Sequence, residues 1–318
     1  MCVPLQLVFL HFMKGLSIKS HSRRNGVVGI VCGILSAMCY GTNPLGALPL
    51  YEEGMNASSV LFFRFLTAVA LLGILLTVRR ISIAVNHRQL GVLALLGVLF
   101  AGSSITYYHS FHYMDAGIAC TLLFVYPLMV AGIMAVFFGE RLSLSAMMAV
   151  LLALCGVGLL YRGPSGATLS TTGVALCMAS SAFYAVYIVI VKQKVLHGVP
   201  SLVVTFYAMA FCLLCLLAYS FASPELHLMA PPSGRAWFFA CWLGLVPTVL
   251  SLEFMTVAVQ RVGPTPTSIM GAMEPITAVA IGTTVFGEAL TPRLVVGIAM
   301  ILVAVTLIVA LPKERANV

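Results

Sequence analysis

Glu274, Arg64 and Glu253 stand out in this sequence because each is charged and each lies within a long apolar stretch. A charged side chain in hydrocarbon costs about 2.5–3.5 kcal/mol on insertion scales, so each needs a reason to be there. Glu274 is followed by Pro275 and preceded by Gly271. Proline removes a backbone donor and loosens the helix around it. A carboxylate beside such a loosened turn can bind a cationic or amino group, or take up and release a proton. The alternative is a Glu that only ties its helix to a neighbour. Arg64 offers a planar fork suited to a substrate carboxylate or phosphate; it could equally reach the headgroups or staple a buried carbonyl. Glu253 lies near the end of its apolar run, ahead of Gln260 and Arg261, where interface solvation explains it as well as substrate contact does. Tyr126 next to Pro127, and Asn43 next to Pro44, are polar residues beside helix-breaking prolines. Tyr126 is a candidate pocket residue. Asn43 could line a cavity or satisfy a proline-freed carbonyl.

The elements that hold these residues follow from composition. Of 318 residues, 61% are apolar and 8% charged, and mean hydropathy is +1.08. A soluble chain of this size must cover its outside with charge, and 17 basic plus 9 acidic residues are too few. Apolar runs of about 20 residues, the length needed to cross a bilayer core, recur along the sequence. Ten spans are expected, at 26–48, 58–78, 90–110, 117–138, 144–161, 173–192, 201–221, 236–258, 266–286 and 293–311. Glu274 then falls about 12 Å into the ninth and Arg64 about 9 Å into the second, at 1.5 Å per helical residue. Residues 1–25 read as a cytoplasmic lead-in or an upstream start-site extension, and 312–318 as a cytoplasmic tail.

Basic residues set the orientation. With a cytoplasmic N-terminus, Lys14, Lys19, Arg23, Arg24, Arg79, Arg80, Arg88, Arg141, Lys192, Lys194, Arg261, Lys313 and Arg315 share that side, against Arg162, Arg235 and Arg293 on the other. The net charge of +8 is therefore a topology signal, and no nucleic-acid partner is expected. The chain also repeats itself. YPLMVAGIMAVFFGERLS at 126–143 and EPITAVAIGTTVFGEALT at 274–291 align without gaps, pairing Pro127 with Pro275, Gly139 with Gly287, Glu140 with Glu288 and Tyr126 with Glu274. Both copies end the fourth span of a five-span block. Five is odd, so the two blocks cross the membrane with opposite polarity, as in carriers whose solute site lies near the midplane between halves. The fold class expected is an all-α integral membrane protein of ten transmembrane helices in two inverted five-helix repeats, at 26–161 and 173–311.

The paired Gly-Glu turns (Gly139-Glu140 and Gly287-Glu288), Phe63-Arg64-Phe65 in span 2 and Glu274-Pro275 in span 9 resemble the EamA-type ten-span members of the drug/metabolite transporter superfamily. The resemblance covers about residues 26–311. It implies a secondary carrier, commonly an exporter of amino acids, related metabolites or toxic small molecules. The first half departs from the second in carrying Tyr126 where Glu274 stands, so a role for Glu274 has no symmetric counterpart.

Other classes are disfavoured. No GxxxxGK[ST] stands in the sequence, nor a GxSxG, HExxH or kinase signature. An intramembrane transferase would need a polar catalytic cluster, and the intramembrane acids are Glu253 and Glu274 alone. A sensor or accessory subunit fits ten spans with no appended soluble domain poorly. The cysteines lie in apolar runs and read as small core residues, and no metal or cofactor is expected. Glu140 and Glu288 are expected to cap following helices. The partners expected are a small-molecule substrate, protons and the lipid bilayer, with the chain a monomer or homodimer in a bacterial inner or plasma membrane.

Overall fold

A computed structural model describes residues 22–110, 113, 119, 122–140, 144–160, 170–222, 228–285 and 291–310, and the regular elements among them are all helical. The start of the lead-in, the Gly287-Glu288 turn and the C-terminal tail lie outside the described residues. In lipid no water is available to hydrogen-bond a bare peptide group, so each spanning segment must satisfy its own backbone, as a helix does.

Span 1 comprises α1 (Ser22–Gly41) and α2 (Asn43–Glu52). Span 2 is α3 (Ala57–Val78), span 3 is α4 (His87–Ser110), span 4 holds α5 (Tyr126–Phe138) and span 5 is α6 (Leu144–Leu160). In the second half, span 6 is α7 (Thr171–Val191) and span 7 is α8 (Ser201–Ala222). Span 8 runs through α9 (Gly234–Gly244), a π-helical turn (Leu245–Leu250) and α10 (Ser251–Val262). Span 9 joins α11 (Pro264–Met270) to α12 (Met273–Thr284), and span 10 is α13 (Pro292–Ala310). Six of these, over Gly26–Glu52, Ser58–Val78, His87–Ser110, Thr171–Val191, Ser201–Phe221 and Gly234–Val262, are long and apolar enough to cross a membrane unaided; Tyr126–Phe138, Leu144–Leu159 and Val295–Leu307 are shorter apolar helices.

The packing shows the inverted repeat directly. Span 1 packs on span 8 as span 6 packs on span 3, span 2 meets span 8 as span 7 meets span 3, and span 4 meets span 6 as span 9 meets span 1. Adding five to each member of one pair gives the other. Spans 5 and 10, 2 and 7, and 4 and 9 pair with each other, as the same operation requires. The most extensive contacts therefore run between the halves rather than within either.

Four spans are broken, each at a proline, and each break leaves the carbonyl four residues upstream without its helical donor. In span 1 the carbonyl opposite Pro44 belongs to Tyr40, and the Asn43 amide donates to it at 2.8 Å. In span 4 the Leu123 carbonyl, opposite Pro127, accepts from Ser181 Oγ of span 6 at 3.0 Å. In span 8 the Leu243 carbonyl, opposite Pro247, accepts from Thr248 Oγ1 at 2.7 Å. In span 9 the Gly271 carbonyl, opposite Pro275, takes the Glu274 N–H at 2.9 Å. The sequence reading marked Pro127 and Pro275 as helix-break candidates but treated span 8 as continuous; the breaks bring polar groups into the bundle interior.

Small residues let the halves approach. A Cβ on Gly156 of α6 would stand 2.8 Å from the Gly297 carbonyl oxygen of α13 and 2.8 Å from Ile301. Gly158, one face round, has no such neighbour within 4 Å. Gly156→Val is expected to destabilise the protein by about 1–3 kcal/mol through overpacking, read as a lower melting temperature in detergent. Gly158→Val should leave that temperature nearly unchanged, and an equal loss in both would reject the close-approach account.

Candidate functional site

Between the halves lies a cleft lined by Ser36 and Tyr40 of α1, Tyr126 of α5, Tyr184 of α7, Ser251 and Met255 of α10, Ser268 of α11 and Glu274 of α12, among others. The unfilled space there amounts to about 350 Å³, open solvent included. Five spans contribute, and the breaks of spans 4 and 9 meet in its wall.

Those two breaks are repeat equivalents, and each opens a half-helix with an aligned residue. Tyr126 starts α5 and Glu274 lies in the first turn of α12. The N-terminal end of a helix carries partial positive charge that favours an anionic side chain, so Glu274 is well placed as a carboxylate. Its side chain makes no hydrogen bond to any described residue. Tyr126, 5% exposed, donates its hydroxyl to the Ser268 carbonyl at 3.1 Å. A Cβ at position 271 would collide with that hydroxyl, so Gly271 is what admits the tyrosine to span 9. The Tyr126 ring meets Tyr184 edge-on at 4.9 Å, and Tyr184 stacks on Tyr187 at 6.2 Å. Ser36 and Ser251 close the opposite wall reciprocally: Ser36 Oγ donates to the Ser251 carbonyl at 2.8 Å, and Ser251 Oγ to the Ser36 carbonyl at 3.0 Å.

Arg64 does not line this cleft. It is 4% exposed and donates Nε–H to Thr248 Oγ1 at 2.7 Å and Nη2–H to the Pro247 carbonyl at 3.2 Å. Thr248 passes its own hydroxyl hydrogen to Leu243, so guanidinium and hydroxyl together fill the gap that Pro247 opens in span 8. The guanidinium also lies 5.3 Å over the Tyr40 ring, and through that tyrosine it borders the cavity.

Glu253 faces away from the cleft. It is 1% exposed; Ser201 Oγ donates to its Oε1, and Thr205 Oγ1 to its Oε2 at 3.3 Å. Asn43 spends its amide on the Tyr40 carbonyl and is also outside the lining set. Glu140 also bonds across to the second half, while residues 141–143, which precede the helix it was expected to cap, lie outside the described residues. Its Oε2 accepts from Thr265 Oγ1 of α11 at 3.2 Å, and burial holds its carboxyl above the usual carboxylate range. The turn before it needs glycine, because Gly139 has φ +65°, and the Glu140 N–H closes α5 on the Met134 carbonyl. Glu288 lies outside the described residues.

Of the sequence candidates, the structure brings Glu274 and Tyr126 to one cavity and sets Arg64 beside it, while Glu253 and Asn43 stand elsewhere. Sequence reasoning missed Tyr40, Ser36, Ser251 and Met255 as lining residues, and Thr248 as partner of Arg64. Thr248 carried a signal, since a hydroxyl just after a mid-span proline repeats the logic of Asn43-Pro44. Cys212 and Cys215 form a Cys-x-x-Cys within α8; both are free thiols, and among the described residues no group of three His, Cys, Asp or Glu could hold a metal.

A bilayer-spanning bundle of two inverted halves with a polar cavity between them is the architecture of a membrane transporter. The EamA-like transporter family pattern matches residues 27–162 and again 171–310, and the chain belongs to that family. It is similar to an uncharacterized transporter of Archaeoglobus fulgidus, 28% identical over 273 residues, covering 86% of this chain and 93% of the relative. It also resembles the uncharacterized transporter YcbK of Bacillus subtilis, 22% identical over 292 residues, covering 89% and 93%. One crystal structure superposes with a TM-score of 0.76 at 16% identity, over 91% of this chain and 99% of that one, a likeness of fold.

The Arg64 clip is testable. Thr248→Val strands the Leu243 carbonyl and should cost about 1–3 kcal/mol, the penalty of an unpaired buried acceptor. Arg64→Met should cost a similar amount, with the double variant falling short of the sum by about 0.5–3 kcal/mol, the range for coupled neighbours. Melting of the four proteins in detergent reads this, and strict additivity would refute a shared clip.

Proposed function

We propose that this protein is a secondary carrier that exports a small polar metabolite carrying an amino group, an amino acid or related compound, by alternating access. The observation that carries the reading is Glu274: a carboxylate with no side-chain hydrogen-bond partner among the described residues, at the start of a half-helix, in a cavity between inverted halves. A half-buried carboxylate in a membrane-spanning bundle left without a partner is unfavourable, and a solute ammonium or a proton supplies what is missing. Tyr126, Tyr184 and Tyr40 give the solute's apolar part aromatic faces, and the Ser36–Ser251 wall offers hydroxyls. A toxic amphiphilic amine suits the same wall chemistry. Exchange between ammonium and proton on one carboxylate couples solute exit to proton entry, because Glu274 cannot serve both at once.

Arg64 acts on this site from behind, fixing the π turn of span 8 and presenting Tyr40. Both termini are assigned to the cytoplasm on the distribution of lysine and arginine, and the membrane to a bacterial inner or plasma membrane. The chain works as a monomer or homodimer.

The test compares solutes released into the medium by cells producing the wild type, Glu274→Gln or no transporter, read by mass spectrometry. A compound released only with the wild type is the expected result. Equal release with Glu274→Gln would reject the role of the carboxylate, and release no greater than that of cells without the protein would reject export.

A further inference from the structure

A second carboxylate, Glu253, is buried apart from the cavity, and the transport reading leaves it unused. Ser251 and Met255 of α10 line the cleft. At about 100° per helical residue, Glu253 lies on the far side of the same helix, against span 7. Ser201, in the first turn of α8, donates to one of its oxygens, and Thr205, one turn on, shares its hydroxyl hydrogen between the other oxygen at 3.3 Å and the Ser201 carbonyl at 3.1 Å. No ion pair to Glu253 is formed among the described residues. Two further hydroxyls on these surfaces have no hydrogen-bond partner among the described residues although their residues are fully buried: Thr256 Oγ1, one turn on from Glu253 along α10, and Tyr187 Oη of span 6, within electrostatic range of Glu253. A buried carboxylate held only by hydroxyls is incompletely compensated, and orphaned hydroxyls in its surroundings can redirect their hydrogens when its charge changes.

We propose that Glu253 is a proton-binding site separate from the substrate cavity, and that its charge state sets the position of α10. Three observations favour a proton over a metal cation. A proton needs no volume, and Glu253 lines neither the cleft nor the apolar hollow bounded by Phe124, Val150 and Ile269. Its hydroxyl partners can either donate to the ionised form or accept from the neutral one. Among the described residues no group of three His, Cys, Asp or Glu stands there to hold a metal ion. Among the described residues the ionisable groups facing it are few: Arg79 at the end of span 2, Cys32 of span 1 and Tyr187 of span 6, with Arg261 of its own helix acting on Cys32. With span 7 contributing hydroxyls, the nearest cations are at the basic rim, where Lys192 Nζ also donates to the Gln260 carbonyl at 2.6 Å.

The coupling route is mechanical. An ionised Glu253 accepts from Ser201 and Thr205 and pins α10 to span 7. A proton arriving from the rim forms an O–H on the carboxyl and removes the charge that recruits those donors. The π turn at Leu245–Leu250 directly precedes α10, and such turns interrupt the regular helical ladder, frequently at functional sites. Because α10 carries Ser251 and Met255 on its other face, its displacement reshapes the cavity wall without any contact between Glu253 and solute.

The experiment needs no substrate. Infrared difference spectra of the purified full chain in nanodiscs, recorded as pH is stepped, report carboxyl C=O stretching as individual groups gain protons. The expected result is a titrating band that Glu253→Gln removes and Glu274→Gln leaves in place. Adding Na⁺ at constant pH should leave that band unchanged. A spectrum unaltered by Glu253→Gln would overturn the proposal, as would a band that Na⁺ abolishes. If Glu253→Gln does not yield folded protein, Thr205→Val keeps the carboxyl and removes one donor. It should move the midpoint of that band and not that of the Glu274 band; an unmoved midpoint would overturn the proposal equally. Loss of the Glu274 band alone would bear on the solute site and leave Glu253 untouched.

Discussion

Hydrocarbon supplies no hydrogen bonds, and the organisation of this protein follows from how it meets that demand at four prolines. Each removes a donor from a spanning helix, and each orphaned carbonyl is served differently. Asn43 serves Tyr40 from the adjacent residue, Ser181 serves Leu123 from another span, Thr248 serves Leu243 with Arg64 behind it, and the Glu274 amide serves Gly271. These repairs bring polar side chains to the middle of the bundle, so the features that break the helices also furnish the cavity. Arg64 illustrates this best. A guanidinium in the membrane suggests solute recognition, yet two of its hydrogen bonds go to the proline-disrupted turn of span 8.

The inverted repeat converts local breaks into a shared site. Because spans 4 and 9 exchange places under the repeat and also pack together, their kinks meet face to face. One delivers a tyrosine and the other a glutamate. The asymmetry falls where the symmetry would otherwise give two equal residues. In the alternating access proposed above, the two halves exchange roles around that point.

The parts legible in sequence were those carried by long runs or by exact offsets. Span positions follow from runs of apolar residues, and the equivalence of Tyr126 and Glu274 follows from a constant offset of 148 residues. Glu274 and Tyr126 were singled out on those grounds, and the structure sets both in one cleft. What the sequence conceals depends on rotation about a helix axis and on partners distant along the chain. Ser36 and Ser251 are small polar residues of a kind common in apolar helices, and only their 215-residue contact makes them a wall. Glu253 looked like an interface residue because it lies near a span end; its burial comes from span 7, which no local pattern announces. The π turn was hidden because one extra residue in a helical turn leaves the hydrophobic run unchanged.

The preference of each half for the other over itself bears on biosynthesis. Spans 1–5 leave the ribosome before their packing partners exist: α6 awaits α13, and α4 awaits α7 and α8. Until then Gly97, Gly102 and Gly156, whose neighbours all lie in the second half, face lipid or the insertion machinery. The first half is thus an obligate waiting intermediate, and completion of the bundle is timed by translation of the last helix. Two separately synthesised halves carry all the surfaces that recognise each other, which is the state from which duplication and fusion of an ancestral five-span chain would have started.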